Sequence, residues 1–136
     1  MDKQRAELIE RFYEAFLRRD VDAIVALCDE SIEIYKDPDV VEMVSALTPR
    51  GHERVATYLR GWLDSWDMYR PSLAGLREAA GDEVVALVEV RARGRGSQFD
   101  IDEEIADVFT FRGERIVRLR LHVTREVALR DAGLEP

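Results

Sequence analysis

The chain has 136 residues, of which 46% are hydrophobic and 35% are charged, which is the size and balance of one globular domain. Its net charge of −8 disfavours nucleic acid and anionic membranes as partners, because both attract a basic surface. The single cysteine, Cys28, has no second thiol for an internal disulfide, and the N-terminus lacks the apolar run of a signal peptide. We therefore predict one cytoplasmic domain over residues 1–136, without a membrane span.

The first half of the chain is predicted to be mainly helical. Hydrophobic residues recur with helical spacing over residues 5–18, and Asp20 then has the character of an N-cap for a shorter helix. Residues 31–35 alternate as a β-strand, and residues 38–51 are predicted to be a loop. A third helix is predicted over residues 52–67. Its inner face carries three large aromatic residues: Tyr58, Trp62 and Trp66.

The second half is predicted to be a meander of four strands followed by a short helix. Alternating side chains indicate strands over residues 69–78, 84–92, 101–111 and 114–123. Thr124 then has the character of an N-cap, and Gly133 that of a helix stop. This order predicts an α+β fold, in which three N-terminal helices cover the apolar face of a mainly antiparallel sheet.

Four segments of the chain form a recognisable set: FYEAF at residues 12–16, DVDAIVAL at 20–27, RGHE at 50–53 and IADVFTF at 105–111. These segments resemble the SnoaL-like and ketosteroid isomerase-like proteins of the nuclear transport factor 2-like superfamily. The resemblance covers essentially the whole chain and implies a cone-shaped fold around a small apolar pocket. Such a fold hosts isomerases, cyclases, dehydratases and non-catalytic carriers. The ending, with REVAL at residues 125–129, is similar to a large group of actinobacterial members.

Asp107 is the first candidate catalytic residue. Strand alternation places it on the inward face together with Ile105 and Phe109. A lone carboxylate among apolar side chains is costly to bury, so it should bind something or carry a raised pKa. The resemblance implies the position of the oxyanion-hole aspartic acid of ketosteroid isomerases. The alternative is a structural aspartate that accepts hydrogen bonds from a backbone amide, Tyr58 or an indole.

Asp37 is the second candidate, since the resemblance matches it to the general base at the end of the first strand. If Ile34 points inward, strand alternation turns Asp37 outward unless the strand bulges. The alternative to a catalytic role is an aspartate that begins a turn before Pro38. The isomerases' oxyanion-hole tyrosine falls on Phe12, which has no hydroxyl. Tyr13 is rotated from it by about 100° around the helix, which argues against a replacement by the neighbour.

The remaining predicted site residues are mostly apolar or aromatic side chains that face the interior. They are Phe12, Phe16, Tyr58, Trp62, Trp66, Val88, Glu103, Phe109 and Leu119. The two histidines and Cys28 have no metal-ligand spacing, so neither a metal nor a cofactor is predicted. Four arginines, a glutamate and a histidine are expected on the outer sheet face, where they would pair two copies of the chain as a homodimer. These residues are Arg91, Arg93, Arg118, Arg120, Glu89 and His122.

Three functions are consistent with this pattern. The first is an enzyme that acts on a small apolar metabolite by proton transfer, as an isomerase, cyclase or dehydratase. In it Asp107 would stabilise developing negative charge or donate a proton, and Asp37 would abstract one. The second is a non-catalytic domain that binds a ligand in the same pocket. The third is a dimeric interaction module whose interior is filled by its own side chains.

Overall fold

A computed structural model describes residues 2–35 and 48–135. Asp37, one of the two candidate catalytic residues, lies outside the described residues. The helices are α1 Lys3–Leu17, α2 Val21–Ala26, α3 His52–Asp64 and α4 Arg125–Asp131. The strands are β1 Cys28–Tyr35, β2 Trp66–Glu78, β3 Glu83–Gly94, β4 Ile101–Arg112 and β5 Arg115–Val123. The predicted α+β fold is confirmed.

The five strands form one mixed sheet in the order β1-β5-β4-β3-β2. β1 runs parallel to β5, whereas the other three pairings are antiparallel and follow the chain. β4 and β5 therefore lie inside the sheet, and β2 is an edge strand. Pro71 of β2 has no N–H to donate to a neighbouring strand. An edge strand tolerates such a residue, because one of its two sides has no neighbour to pair with.

Short polar residues begin α2 and α4, as local chemistry predicts. The Asp20 carboxylate accepts the Ala23 amide N–H at 3.1 Å at the start of α2. The Thr124 hydroxyl accepts the Val127 amide N–H at 3.4 Å at the start of α4. Each contact satisfies an amide that has no partner inside its helix. The two N-caps predicted from the sequence are confirmed.

The third helix ends earlier than its hydrophobic pattern suggests. α3 stops at Asp64, and Ser65 caps it, with the Ser65 hydroxyl donating to the Trp62 carbonyl at 2.6 Å. Trp66 is the first residue of β2. The prediction that Trp66 lies on the third helix is therefore wrong, because apolar spacing continued across the point where the backbone turned into a strand.

The inner face of the sheet packs against α1, α2 and α3 in one large hydrophobic core. A second, smaller core lies on the outer face, where Ala128 and Leu129 of α4 pack on β3 and β4. The residues beneath α4 are apolar: Val85, Ala106 and Val108. The outer face is thus partly covered by the chain itself instead of being wholly left to water or a partner. Within the described residues, none of the helices has the length and apolar character needed to span a bilayer.

Candidate functional site

A small cavity lies between α1 and the inner face of the sheet. Seven residues line it: Phe12, Tyr13, Phe16, Tyr69, Pro71, Asp107 and Leu121. Its volume is about 10 Å³, which is enough for roughly one water molecule. A larger ligand would therefore enter only after a lining side chain moves.

Asp107 is the charged residue buried at this cavity. It lies on β4 with 4% of its surface exposed, and no other charged side chain among the described residues is buried. The Tyr13 hydroxyl donates a hydrogen bond to Asp107 Oδ2 at 2.6 Å. Tyr13 itself is only 5% exposed. The arrangement satisfies a carboxylate oxygen and a phenol that would both be costly to bury without a partner.

Two neighbouring residues of α1 face the interior in different roles. The Phe12 ring packs edge-on against Phe109 at 5.1 Å between ring centres, while the Tyr13 hydroxyl reaches Asp107. The expectation that helical rotation turns Tyr13 away from the site is therefore wrong. The signal was present in the sequence, since Ile9 and Phe16 with these two residues form an i, i+3, i+4, i+7 stripe wide enough to bury both positions.

The environment keeps two phenols protonated beside Asp107. Burial first, and then the neighbouring Asp107 carboxylate, raise the pKa of Tyr13 well above its ordinary value. Burial also raises the pKa of Tyr69, with smaller contributions from Asp107 and Glu103. Both effects disfavour the phenolate. Tyr13 is therefore a hydrogen-bond donor to Asp107 throughout the physiological pH range.

Three aromatic rings pack together beside the cavity. The ring centres of Trp62 and Trp66 are 5.5 Å apart, and Tyr69 lies 5.8 Å from Trp62 and 5.5 Å from Trp66. Tyr69 is the member that lines the cavity, and it also contacts Phe16 at 6.0 Å. The Trp66 indole N–H is buried and finds no hydrogen-bond acceptor among the described residues.

The predicted site residues fall into four positions. Three line the cavity: Phe12, Phe16 and Asp107. Three are fully buried in the core without lining it: Val88, Phe109 and Leu119. Three are half-buried against that core: Tyr58, Trp62 and Trp66. Glu103 is exposed, on a groove outside the cavity. Sequence reasoning missed four lining residues: Tyr13, Tyr69, Pro71 and Leu121.

An open groove of about 450 Å³ crosses β2, β3 and β4 at the surface. Its lining is mostly charged: Arg70, Ser72, Glu89, Val90, Arg91, Asp102, Glu103 and Glu104. Some like charges face each other across neighbouring strands, since Arg70 pairs with Arg91 and Glu89 pairs with Glu104. Over residues 2–35 and 48–135, the His, Cys, Asp and Glu side chains make no group of three that would hold a metal ion.

The SnoaL-like domain family matches residues 9–119 of the chain. A nuclear transport factor 2-like protein of unknown function from Burkholderia pseudomallei has a similar structure, with a TM-score of 0.76 and 21% identity over 96% of this chain and 98% of that one. No curated protein sequence matches the chain.

Two further solved structures are similar in fold. A protein from Catenulispora acidiphila with a ketosteroid isomerase-like fold, in complex with trimethylamine, has a TM-score of 0.72 and 16% identity over 95% of this chain and 94% of that one. A putative polyketide cyclase from Sinorhizobium meliloti has a TM-score of 0.65 and 16% identity over 84% of this chain and 92% of that one. At these identities the similarity shows the fold alone.

Proposed function

Because the chain belongs to the SnoaL-like domain family, we propose that it binds a small, largely apolar molecule beside Tyr13 and Asp107 and acts on it by proton transfer. The reaction would be an isomerisation, cyclisation or dehydration without a cofactor. The observation that carries the proposal is the buried hydrogen bond of 2.6 Å between the Tyr13 hydroxyl and Asp107, at a cavity that is otherwise apolar and aromatic. The names of two neighbours, one bound to trimethylamine and one a putative polyketide cyclase, also support a small-molecule site.

Asp107 and Tyr13 have separate roles in this proposal. Asp107 exchanges a proton with the ligand or stabilises charge that develops on it. Tyr13 orients the carboxylate, because its retained proton fixes one carboxylate oxygen. Asp37 is proposed as the base that abstracts the proton. A carboxylate placed next to a carbon acid in a water-excluding site accelerates proton transfer by about 10²–10⁴-fold.

Hydrogen exchange on carbon tests this proposal whatever product the reaction forms. Small ketones, lactones and apolar acids are screened by thermal shift, and the ligands that bind are incubated with the protein in deuterium oxide. NMR then measures the replacement of carbon-bound hydrogen by deuterium. We expect exchange with the wild type and a rate lower by about 10²–10⁴-fold in Asp107→Asn. Asp37→Asn should show a comparable loss.

Matched variants separate chemistry from folding. Tyr35→Phe removes a hydroxyl that bonds to Glu33 away from the cavity, and Asp100→Asn removes an exposed carboxylate that pairs with Arg91 and Arg93. Both should exchange at the wild-type rate. If Asp107→Asn folds, binds the ligand and still exchanges at the wild-type rate, Asp107 has no part in the chemistry.

A second candidate is a non-catalytic binding domain of the same fold, in which the hydrogen-bonded Tyr13 and Asp107 hold a ligand without reacting with it. In this case the screened ligands would bind with an affinity that falls in Tyr13→Phe and Asp107→Asn, but deuterium would not enter them. Binding without exchange therefore selects the second candidate over the first. The small volume of the cavity, about 10 Å³, favours the third function, an interaction module whose interior is filled by its own side chains, and in that case none of the screened ligands would bind.

We also propose that the groove on β2, β3 and β4 joins two copies of the chain. Like charges that lie opposite each other are unfavourable within one chain, and here Arg70 faces Arg91 while Glu89 faces Glu104. A two-fold axis would set the basic pair of one copy against the acidic pair of the other. The charge pattern thus supports a homodimer through the part of the outer face that α4 leaves open.

A further inference from the structure

The turn after α1 places an arginine in a conformation that favours glycine. The Arg19 amide N–H donates to the Phe16 carbonyl at 3.0 Å, and the Asp20 amide N–H donates to the Ala15 carbonyl at 2.9 Å. This pair of hydrogen bonds is the Schellman motif that ends many helices, and glycine is the usual residue at the position of Arg19 because the motif needs a positive φ there. Arg19 has a φ of 56°. A residue with a Cβ adopts this conformation at a cost in stability.

The strain at Arg19 has no local compensation. Among the described residues, Asp82 is the other residue with a Cβ that has a positive φ, at 63°. The short polar side chain of an aspartate can form local hydrogen bonds in this conformation, whereas the long side chain of an arginine does not. Strained residues of this kind persist only where the surrounding structure fixes them, and they cluster at functional sites. The strain therefore indicates that the Arg19 side chain has a role.

The Arg19 side chain joins the ends of two other elements. Its guanidinium donates to the Leu63 carbonyl in the last turn of α3 and, at 3.2 Å, to the Trp66 carbonyl at the start of β2. β2 is an edge strand, and its pairing with β3 shifts register between Trp66 and Met68. Because such a bulge disrupts the hydrogen bonds of the ladder locally, the start of β2 depends more on contacts from outside the sheet. Arg19 supplies such a contact from the end of α1.

The two segments that Arg19 joins carry two walls of the cavity. Phe16, whose carbonyl accepts the Arg19 amide N–H, lines the cavity from α1. Tyr69, near the start of β2, lines it from that strand, and the Phe16 and Tyr69 ring centres are 6.0 Å apart. Tyr13 and Asp107 belong to the same lining. Arg19 therefore links the wall from α1 to the wall from β2 at the proposed site.

We propose that Arg19 is a positioning residue of this site. By holding the start of β2 to the end of α1, it keeps the two walls together and keeps water away from the hydrogen bond between Tyr13 and Asp107. The inference rests on the proposed function, because it concerns the same cavity, where the exclusion of water strengthens interactions with a reacting ligand. It explains why an arginine occupies a turn position at which glycine would be less strained.

The hydroxyl proton of Tyr13 tests the inference in the protein without a ligand. This proton lies in a buried hydrogen bond of 2.6 Å, so it should give a separate downfield NMR signal, and saturation transfer measures its exchange with water. Arg19→Gly removes the side chain and leaves the turn unstrained. We expect its Tyr13 proton to exchange at least about tenfold faster than in the wild type, because the loss of hydrogen bonds from a charged donor favours local opening of the walls. Arg19→Met, which keeps an apolar stem and loses the donors, should change the rate in the same direction.

Two further variants separate positioning from overall stability. Arg19→Lys retains a charged donor and should restore most of the protection. Thr124→Ala removes the N-cap of α4 on the outer face, so it should destabilise the fold and leave the exchange of the Tyr13 proton at the wild-type rate. The inference is overturned by an unchanged rate in Arg19→Gly, or in Arg19→Met if the glycine variant does not fold, and by an equal increase in Thr124→Ala. A wild-type proton that exchanges too fast to detect would also overturn it. Failure of the proposed function is a separate result, because the wild type can protect this proton without any deuterium entering a ligand.

Discussion

Tyr13 and Asp107 each bury a polar group that the other satisfies. The hydroxyl and the carboxylate oxygen are 2.6 Å apart, and both residues are almost fully removed from water. Removing one partner leaves the other without this hydrogen bond in an apolar interior. That loss is larger than the net worth of the bond itself.

A double-mutant cycle measures this dependence at the scale of the two residues. We expect Tyr13→Phe and Asp107→Leu each to lower the free energy of unfolding by about 1–3 kcal/mol. The double variant should lose less than the sum of the two, because it removes both polar groups together. Urea unfolding provides the values, and Tyr35→Phe is the control for loss of a hydroxyl outside the cavity. Additive losses would mean that the two side chains do not depend on each other.

At the scale of elements, Arg19 forms hydrogen bonds with the backbone at the end of α3 and at the start of β2. Its guanidinium donates to the Leu63 carbonyl in the last turn of α3, where helical carbonyls lack partners inside the helix, and, at 3.2 Å, to the Trp66 carbonyl at the start of β2. The Arg19 backbone has a positive φ of 56°, in the left-handed region that residues with a Cβ adopt at a cost. The contact and the backbone conformation have opposite effects on stability, so substitutions separate them.

We expect Arg19→Gly to be more stable than Arg19→Ala by about 1 kcal/mol. Both variants lose the contact with α3, but only glycine adopts the positive φ without strain. Arg18 is the matched control, because it precedes Arg19 and has a φ of −82°. There alanine should be more stable than glycine. Chemical unfolding of the four variants tests the reversal, and the same order at both positions would contradict it.

At the scale of the whole molecule, the tyrosines make the fold sensitive to alkali. The pKa of each of the four is raised. Burial is the main cause for Tyr13 and Tyr69, and it raises the pKa of Tyr58 to about 12. A hydrogen bond to Glu33 is the main cause of the raised pKa of Tyr35. Burial also raises the pKa of the Cys28 thiol to about 12. The stabilisation linked to the tyrosines is therefore fully present below about pH 9, and that linked to Cys28 below about pH 8, because there the groups are protonated in both the folded and the unfolded chain.

Above about pH 9–10 the unfolded chain releases protons that the folded chain retains, so the free energy of unfolding should fall as the pH rises. We expect phenolate absorbance to develop at a distinctly higher pH in the native protein than in the urea-unfolded protein. Spectrophotometric titration of both states measures this difference. More than one native tyrosine that titrates at the pH of the unfolded chain would contradict the burial that we describe for Tyr13, Tyr58 and Tyr69.

The proposed homodimer is a prediction at the same scale. Light scattering should give twice the mass of the chain at micromolar concentration, and added salt should weaken the association because exposed charges are screened. Arg91→Glu should produce a monomer by placing acid against acid across the two-fold axis. The double variant Arg91→Glu/Glu89→Arg should recover the dimer. A wild-type monomer at all accessible concentrations would rule out the proposed interface.

The sequence by itself determined the order of the helices and strands, the caps at Asp20 and Thr124, and the inward position of Asp107. Each of these depends on local chemistry: the period of the backbone, the side chains that bond to a helix end, and the alternation along a strand. The same local reasoning failed at Trp66, where the helical pattern ran on past Ser65 into an edge strand.

Only the tertiary structure decided the contents of the site. Tyr13 and Asp107 are 94 residues apart in the chain. No local pattern indicates whether Phe12 or Tyr13, which both face inward, contacts a residue so distant in sequence. The placement of α4 on the outer face likewise follows from packing against strands distant in sequence. The small cavity of about 10 Å³ is the space left by rings from α1 and by Tyr69 of β2. The volume of a cavity is the small difference between the space enclosed by the backbone elements and the volume of the side chains that fill it. It depends on packing between residues distant in sequence, which strand or helix periodicity does not specify.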